Sequence, residues 1–414
     1  MSKSVLDSVA MAYQPVWNRR RRLAAVRVGV LETRPASVDA AHVMQVLGED
    51  WPAGAPLLIV SFQSPDLQWQ ATRCPPVHHT WIELGPEPFT EPGRLAALAV
   101  AVRGGHQLLR RLPLADMHGE VIAPLGVRSL LQPSAAESLE ALQSCAADGT
   151  PVPGRTSPML AGQLYEGIGG RLLADHCLDA AGAWGVSGWP EDDVLHAWRD
   201  KPMGCDAVII LQCRKAIQED CSLEQLERFV RQDPVLVYRL LALVNSAAMG
   251  LRREIDSLRH AIMMLGLTAL GQWLSEQLHG SETDNALHPV RYAQVLRSRL
   301  AQHLLDSGSD EDLRAEVYFT SLLSQMDRLL HEPLGPVLHR VPLPGRTMDA
   351  LLRQDGPYHG LLEVSRAQSS IERLHHLPAL CAEHEISLEQ ANRALLRMLA
   401  TSRDVEPIPA HHRG

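Results

Sequence analysis

The chain has 414 residues, enough for two domains with ordinary cores, and a composition of 45% hydrophobic and 21% charged residues that suits a globular protein. A formal net charge of −9 argues against a general nucleic-acid binder, because neutralising phosphates needs a basic surface. No apolar run reaches the roughly 18 residues of a membrane helix, and the seven cysteines form no C-x-x-C pair, so neither membrane insertion nor a zinc or disulfide framework is expected.

In chain order, "MSKSVLDSVAMAYQPVW" lacks an apolar core followed by a small-residue cleavage site, so the expected location is the cytoplasm. The run Arg19–Arg22 reads as a solvated turn, being four like charges in an acidic chain. "PLLIVSF" (56–62) and "HTWIEL" (79–84) have the β-branched and aromatic content of buried strands. "GRLAALAVAVRGGHQLL" (93–109) reads as helix then turn, "EVIAPL" (120–125) as a strand, and "SAAESLEALQSCAA" (134–147) as a helix. "GTPVPGRTSP" (149–158) is a Pro/Gly loop, and "AWGVSGW" (183–189) a last strand. Strands interleaved with helices predict a mainly parallel sheet.

Beyond about residue 200 the strand signals stop and amphipathic helices follow one another, from "GCDAVIILQCRKAIQ" to "LEQANRALLRMLATS". A boundary is expected near 192–204. In "DPVLVYRLLALVNSAAMGL" (233–251), Asp233 is placed to cap a helix with Pro234 at its first position. Leu236, Leu240, Leu243 and Val244 then share one face. Gly266 reads as a helix stop, and Thr268 as the cap of the next helix.

This stretch resembles the signature of HDOD domains. The matched elements are Asp233-Pro234, Leu236, Arg239-Leu240-Leu241, Asn245-Ser246-Ala247, Ile255, Ser257, Ala261-Ile262 and Leu265-Gly266, within a resemblance covering roughly 200–400. It implies an all-helical domain similar to the HD phosphohydrolases, which hold divalent metals through a His…His-Asp…Asp set. No His-Asp dipeptide occurs here, and the corresponding segment reads Ser324-Gln325-Met326-Asp327. Hydrolysis by this half is therefore not expected. Asn245 and Ser246 read as backbone-bonding residues that end a helix, since neither ligates a transition metal well. Arg239, Arg252 and Arg253 are candidate contacts for a partner protein.

The opening "AYQPVWNRRRRLAAVRVGVLE" is similar to the first hairpin of EAL domains, the magnesium-dependent phosphodiesterases of cyclic-di-GMP. Gln14-Pro15 match, and "AGAWGVSGWP" (181–190) resembles the closing strand, with Ser187 at the family's glutamine. Aligned without gaps, the family's metal-binding Glu falls on Arg27, the apolar residue two later on Gly29, and its phosphate-contacting Arg on Leu31. Glu83 matches one further family acid. The tripeptide Glu140-Ala141-Leu142 is a decoy, lying inside an Ala/Leu-rich helix. An arginine in place of a ligand also opposes the ion: a +2 and a +1 charge ~4 Å apart at an effective dielectric of ~20 repel by roughly 8 kcal/mol.

Together these readings predict a degenerate EAL-like α/β domain related to the TIM barrel over 1–195, an all-α HDOD domain over 200–402, and a tail over 403–414. The implied function is a non-catalytic bacterial signal-transduction regulator that binds other signalling proteins, with no cofactor or metal. The alternative is a non-hydrolysing sensor of cyclic-di-GMP or another nucleotide, although Leu31 removes the family's main phosphate anchor. An active phosphodiesterase ranks last.

Overall fold

The computed structural model describes residues 4–34, 38–118, 126–145, 150, 152–246, 258–305 and 308–402. The chain divides into two compact units: Met1–Val194 together with Arg366–Arg403, and Leu195–Ser365.

In the first unit, eight strands close into a barrel in sequence order: β1 (Val9–Trp17), β2 (Leu23–Glu32), β3 (Leu57–Phe62), β4 (Thr80–Leu84), β5 (Gln107–Pro113), β6 (Arg128–Gln132), β7 (Leu164–Tyr165) and β8 (Gly185–Ser187). β1 runs antiparallel to both β2 and β8, and the other neighbours are parallel. This is the TIM-barrel-related α/β architecture expected from the alternation of strands and helices. Several connecting helices start on side-chain caps. Ser64 and Asp39 accept backbone N–H bonds, and Ser134 forms a reciprocal capping box with Glu137 at the head of the helix Ala135–Gln143. Glu140-Ala141-Leu142 lies inside that helix.

The sequence reading differs from the structure in several places. The helix and turn expected over 93–109 are present, as Pro92–Arg103 and Gly104-Gly105 with φ +106° at Gly105, but the residues from Gln107 belong to β5, which was not expected. The strand expected over 120–125 lies outside the described residues, as does the tail 403–414. The Arg19–Arg22 run does form the hairpin turn between β1 and β2, but Arg21 is not solvated. Its guanidinium is buried and donates to Asp175 and Asp179 at 2.5–2.7 Å.

The largest correction concerns residues 366–402, expected to belong to the helical domain. They pack on the barrel. Asn392, in the helix Leu388–Ala400, is fully buried; its side chain donates to Leu6 O and Val9 O and accepts from Met11 N. Gln368 donates to Met11 O and Ala391 O. A Cβ built on Gly29 would sit 3.2 Å from both Ile371 and Leu374, so these two side chains occupy the space that a larger residue at position 29 would need.

The second unit is helical, with helices Ala207–Gln218, Leu223–Val230, Pro234–Val244, Leu258–Leu265, Leu267–His279, Leu287–Leu304 and Glu311–Leu323 followed by shorter segments. Asp206, Ser222, Asp233 and Asp310 cap helix starts. Thr268 is not a cap. It lies within Leu267–His279, whose N-cap is Gly266 in a positive-φ conformation (+76°) that side chains rarely adopt. Gly204 is a close-approach site, because a Cβ there would lie 2.3 Å from Gly280 O. Gly204→Ala is therefore expected to destabilise this unit by about 1–3 kcal/mol, read as a lower urea midpoint at unchanged slope.

Candidate functional site

The barrel interior is built in layers, because side chains on successive residues of a strand point to opposite faces. Val16, Ala25, Leu57, Ile59, Leu109, Leu130 and Leu164 form an apolar floor, joined by the tilted pair Trp81 and Trp184. Two residues further toward the C-terminal ends of β2–β7, the same inward face carries Arg27, Ser61, Glu83, Arg111, Gln132 and Glu166. On the antiparallel β1 the corresponding step reaches Gln14, and β8 contributes Ser187. The layer above the floor is thus polar all round, at the face where barrels of this kind carry their sites.

Arg27 is the hub. Its side chain is 5% exposed, against 4% for Glu83 and 9% for Glu166. Nε and Nη2 form a bidentate pair with Glu83, both bonds 2.6 Å, while Nη1 reaches Glu166 Oε2 at 2.9 Å and Gln14 Oε1 at 3.3 Å. Gln14 Oε1 also accepts from Ser187 Oγ at 2.8 Å. Arg111 completes the set by donating Nε to Glu166 Oε1 at 2.5 Å. Burial disfavours the Arg27 charge, but the two carboxylates outweigh it and hold the guanidinium above its ordinary pKa.

A divalent cation does not fit these residues. All four oxygens of Glu83 and Glu166 accept from a guanidinium, and the two glutamates balance the two arginines in charge. A magnesium site needs several free oxygen ligands in near-octahedral array. Beside the layer opens a cavity of about 310 Å³, lined by Ser61, Gln63, Gln68, Glu83, half-exposed Arg111 and Gln132 among others.

Of the positions singled out in the sequence, Gln14, Arg27, Glu83 and Ser187 converge here. Leu31 does not: it lies four residues further along β2, opposite Ala10. Sequence reasoning missed Arg111 and Glu166. The signal for Glu166 was its place two residues after the inward Leu164 on a two-residue strand, visible once the register is known.

In the helical unit, Asp233 is completely buried. Its carboxylate caps the helix Pro234–Val244 through Val235 N and also accepts from Asp206 N at 2.7 Å. Burial pushes this carboxyl above the usual range, and Arg291, 3.6 Å away, opposes the shift. Arg291 also donates to Gly204 O at 2.6 Å. Arg239, the candidate partner contact, is half-buried, with Nη1 on Gln277 Oε1 and Nη2 on Met203 O, both 2.8 Å. Segment 203–206 is thereby fastened by two arginines and one aspartate. Asn245 is the C-cap residue of Pro234–Val244, and its Nδ2 donates to Leu241 O at 2.9 Å. Arg252, Arg253 and Ser257 lie outside the described residues.

Residues 207–330, which hold Asp233, Arg239, Gln277 and Arg291 but not the segment they fasten, match the HDOD domain family. This segment is an HDOD domain. The HDOD domain falls wholly within the helical unit, and its signature residues Asp233, Pro234 and Gly266 serve capping and chain reversal there.

Among curated proteins, the chain is 25% identical over 155 residues to the uncharacterized protein YuxH of Bacillus subtilis, covering 36% of each chain. It is 23% identical over 199 residues to the cyclic di-GMP phosphodiesterase CdgJ of Vibrio cholerae, covering 48% of this chain and 46% of that one. The chain thus spans less than half the length of the curated relatives it matches. Among solved structures, the MmoQ response regulator of Methylococcus capsulatus aligns at TM-score 0.39 and 20% identity, over 47% of this chain and 98% of that one. A manganese and cyclic-di-GMP complex of Klebsiella pneumoniae BlrP1 aligns at TM-score 0.29 and 14% identity, over 44% and 55%. Among the described residues no helix is long and apolar enough to cross a membrane.

Proposed function

We propose that this chain is a non-catalytic signal-transduction regulator, acting on other signalling proteins through its HDOD domain and a degenerate EAL-like barrel. One observation carries the reading: the Arg27 guanidinium stands between Glu83 and Glu166, where a cation would have to sit to use them. Substituting a fixed internal charge for a metal keeps the barrel mouth shaped and neutral but leaves nothing to activate water. The name of the Vibrio relative supports a setting in cyclic di-GMP signalling.

The test is incubation of the full chain with cyclic-di-GMP and magnesium or manganese, with product followed by chromatography. No hydrolysis above a chelator-treated control is expected, and calorimetry should detect no saturable manganese binding in the micromolar range. Turnover that disappears both with chelator and in Glu83→Ala would refute the reading.

The cavity beside Arg111 favours a second reading, a sensor that binds a nucleotide without cleaving it. Arg111 is half-exposed, and a guanidinium is suited to phosphate. Saturable binding of cyclic-di-GMP that is lost in Arg111→Ala would select this alternative.

A further inference from the structure

A second group of reactive side chains lies in the barrel unit, away from the polar layer. Cys145 Sγ is 3.4 Å from His176 Nδ1, and His176 Nε2 is 2.7 Å from Ser157 Oγ. A nucleophile in reach of a base, with the base held by a third group, is the arrangement by which proteins activate a thiol. We propose that Cys145 is a reactive thiol with His176 as its base, and that it is a site of oxidation by hydroperoxides.

Ser157 Oγ accepts from Met159 N at 3.2 Å and keeps a second lone pair able to accept His176 Nε2–H; in that tautomer the Nδ1 lone pair faces the thiol. When the proton moves from sulfur to Nδ1, both imidazolium N–H groups keep an acceptor, the thiolate and Ser157. His176 opens a five-residue π-helical turn, His176–Ala180, a distortion frequent at functional sites. The flanking Asp175 and Asp179 are engaged by Arg21, which pins that turn to the β1–β2 hairpin loop. Burial holds the imidazole below its ordinary pKa, which keeps the resting ring in its neutral form.

Cys145 is partly exposed, as are Cys74 and Cys221, whereas Cys177, Cys205, Cys213 and Cys381 are buried. Burial pushes Cys177, Cys205 and Cys381 up to about 12, which keeps them inert. In the reaction, the Cys145 thiolate attacks one peroxide oxygen. An S–O bond forms as the O–O bond breaks, and the departing oxygen takes the proton from His176 to leave as water or an alcohol. Sulfur is oxidised by two electrons to a sulfenic acid and the hydroperoxide is reduced by two, so the balance needs no other reactant.

The test is alkylation of the full chain with limiting iodoacetamide across pH 5.5–9, a window spanning ordinary imidazole and thiol values, read cysteine by cysteine by peptide mass spectrometry. At pH 7, Cys145 is expected to react about tenfold faster than Cys74 or Cys221. His176→Gln should remove that advantage and change the pH dependence of its alkylation. Hydrogen peroxide followed by dimedone should label Cys145 first. A Cys145 rate no higher than those of Cys74 and Cys221 in the unmodified chain would overturn the proposal without any variant. So would a pH profile unchanged in His176→Gln. If that variant does not fold, Ser157→Ala, which keeps the base but loosens it, must slow Cys145 selectively.

Discussion

Replacing Arg27 by methionine is expected to destabilise the barrel unit by about 3–5 kcal/mol, the range seen when one partner of a buried ion pair is removed. The variant keeps the hydrocarbon stem but leaves Glu83 without its bidentate partner in a position only 4% exposed. Glu166 retains Arg111, so the damage falls mainly on Glu83. At 2–4 °C per kcal/mol for a unit of this size, the melting temperature should fall by roughly 6–20 °C. Adding Glu83→Gln in the same chain should recover part of the loss, because an uncharged amide no longer demands a cation. Arg27→Glu makes a sharper test. Three carboxylates would then face one another in the layer, and stability should depend on added manganese. A ligand at one hundred times its Kd stabilises by about 2.7 kcal/mol. An Arg27→Met variant that melts like the parent would remove the basis for regarding the guanidinium as the site's internal cation.

Asn392→Ala is expected to cost about 3–5 kcal/mol in the same unit. The side chain satisfies three backbone groups at once, Leu6 O, Val9 O and Met11 N, all at 2.8–3.0 Å and buried. Each bond is worth about 1 kcal/mol net, and each orphaned group costs about 1–3 kcal/mol. Asn392→Asp should be worse, because its carboxylate would place acceptors against two carbonyl oxygens. Urea unfolding followed by barrel tryptophan fluorescence reads both variants. Equal midpoints for the parent and Asn392→Ala would mean that these three hydrogen bonds contribute nothing to the barrel's stability.

Continuous apolar runs bounded by turn residues announced β3 and β4, and capped amphipathic stretches announced the HDOD helices. β5 was obscured because "QLLRRLP" interrupts its apolar pattern with two arginines, and one of these, Arg111, belongs to the polar layer. β7 is too short, at two residues, to produce any pattern. Arg27 was legible as a charge at the position where the resemblance to EAL domains places an acid. Its partner Glu166 was not, because 139 residues separate the pair and only barrel closure brings them together. In the helical unit, Asp233 could be read as a cap from Asp-Pro before an apolar run. Arg291, which lies beside it, carries no local signal. The assignment of 366–402 failed for a related reason: those helices are amphipathic like their predecessors, and periodicity shows that a face is buried without showing against what.

The return of Arg366–Arg403 to the barrel means that the chain leaves that unit at Val194 and re-enters it at Arg366. The HDOD-bearing unit is an insertion, tethered at both ends to one body rather than strung behind it. A fragment beginning at residue 200 carries an orphaned piece of the barrel, and one ending there lacks Asn392. The natural cut is a double one, at 195 and 365, and a short linker joining 194 to 366 would test whether the barrel folds with its guest removed.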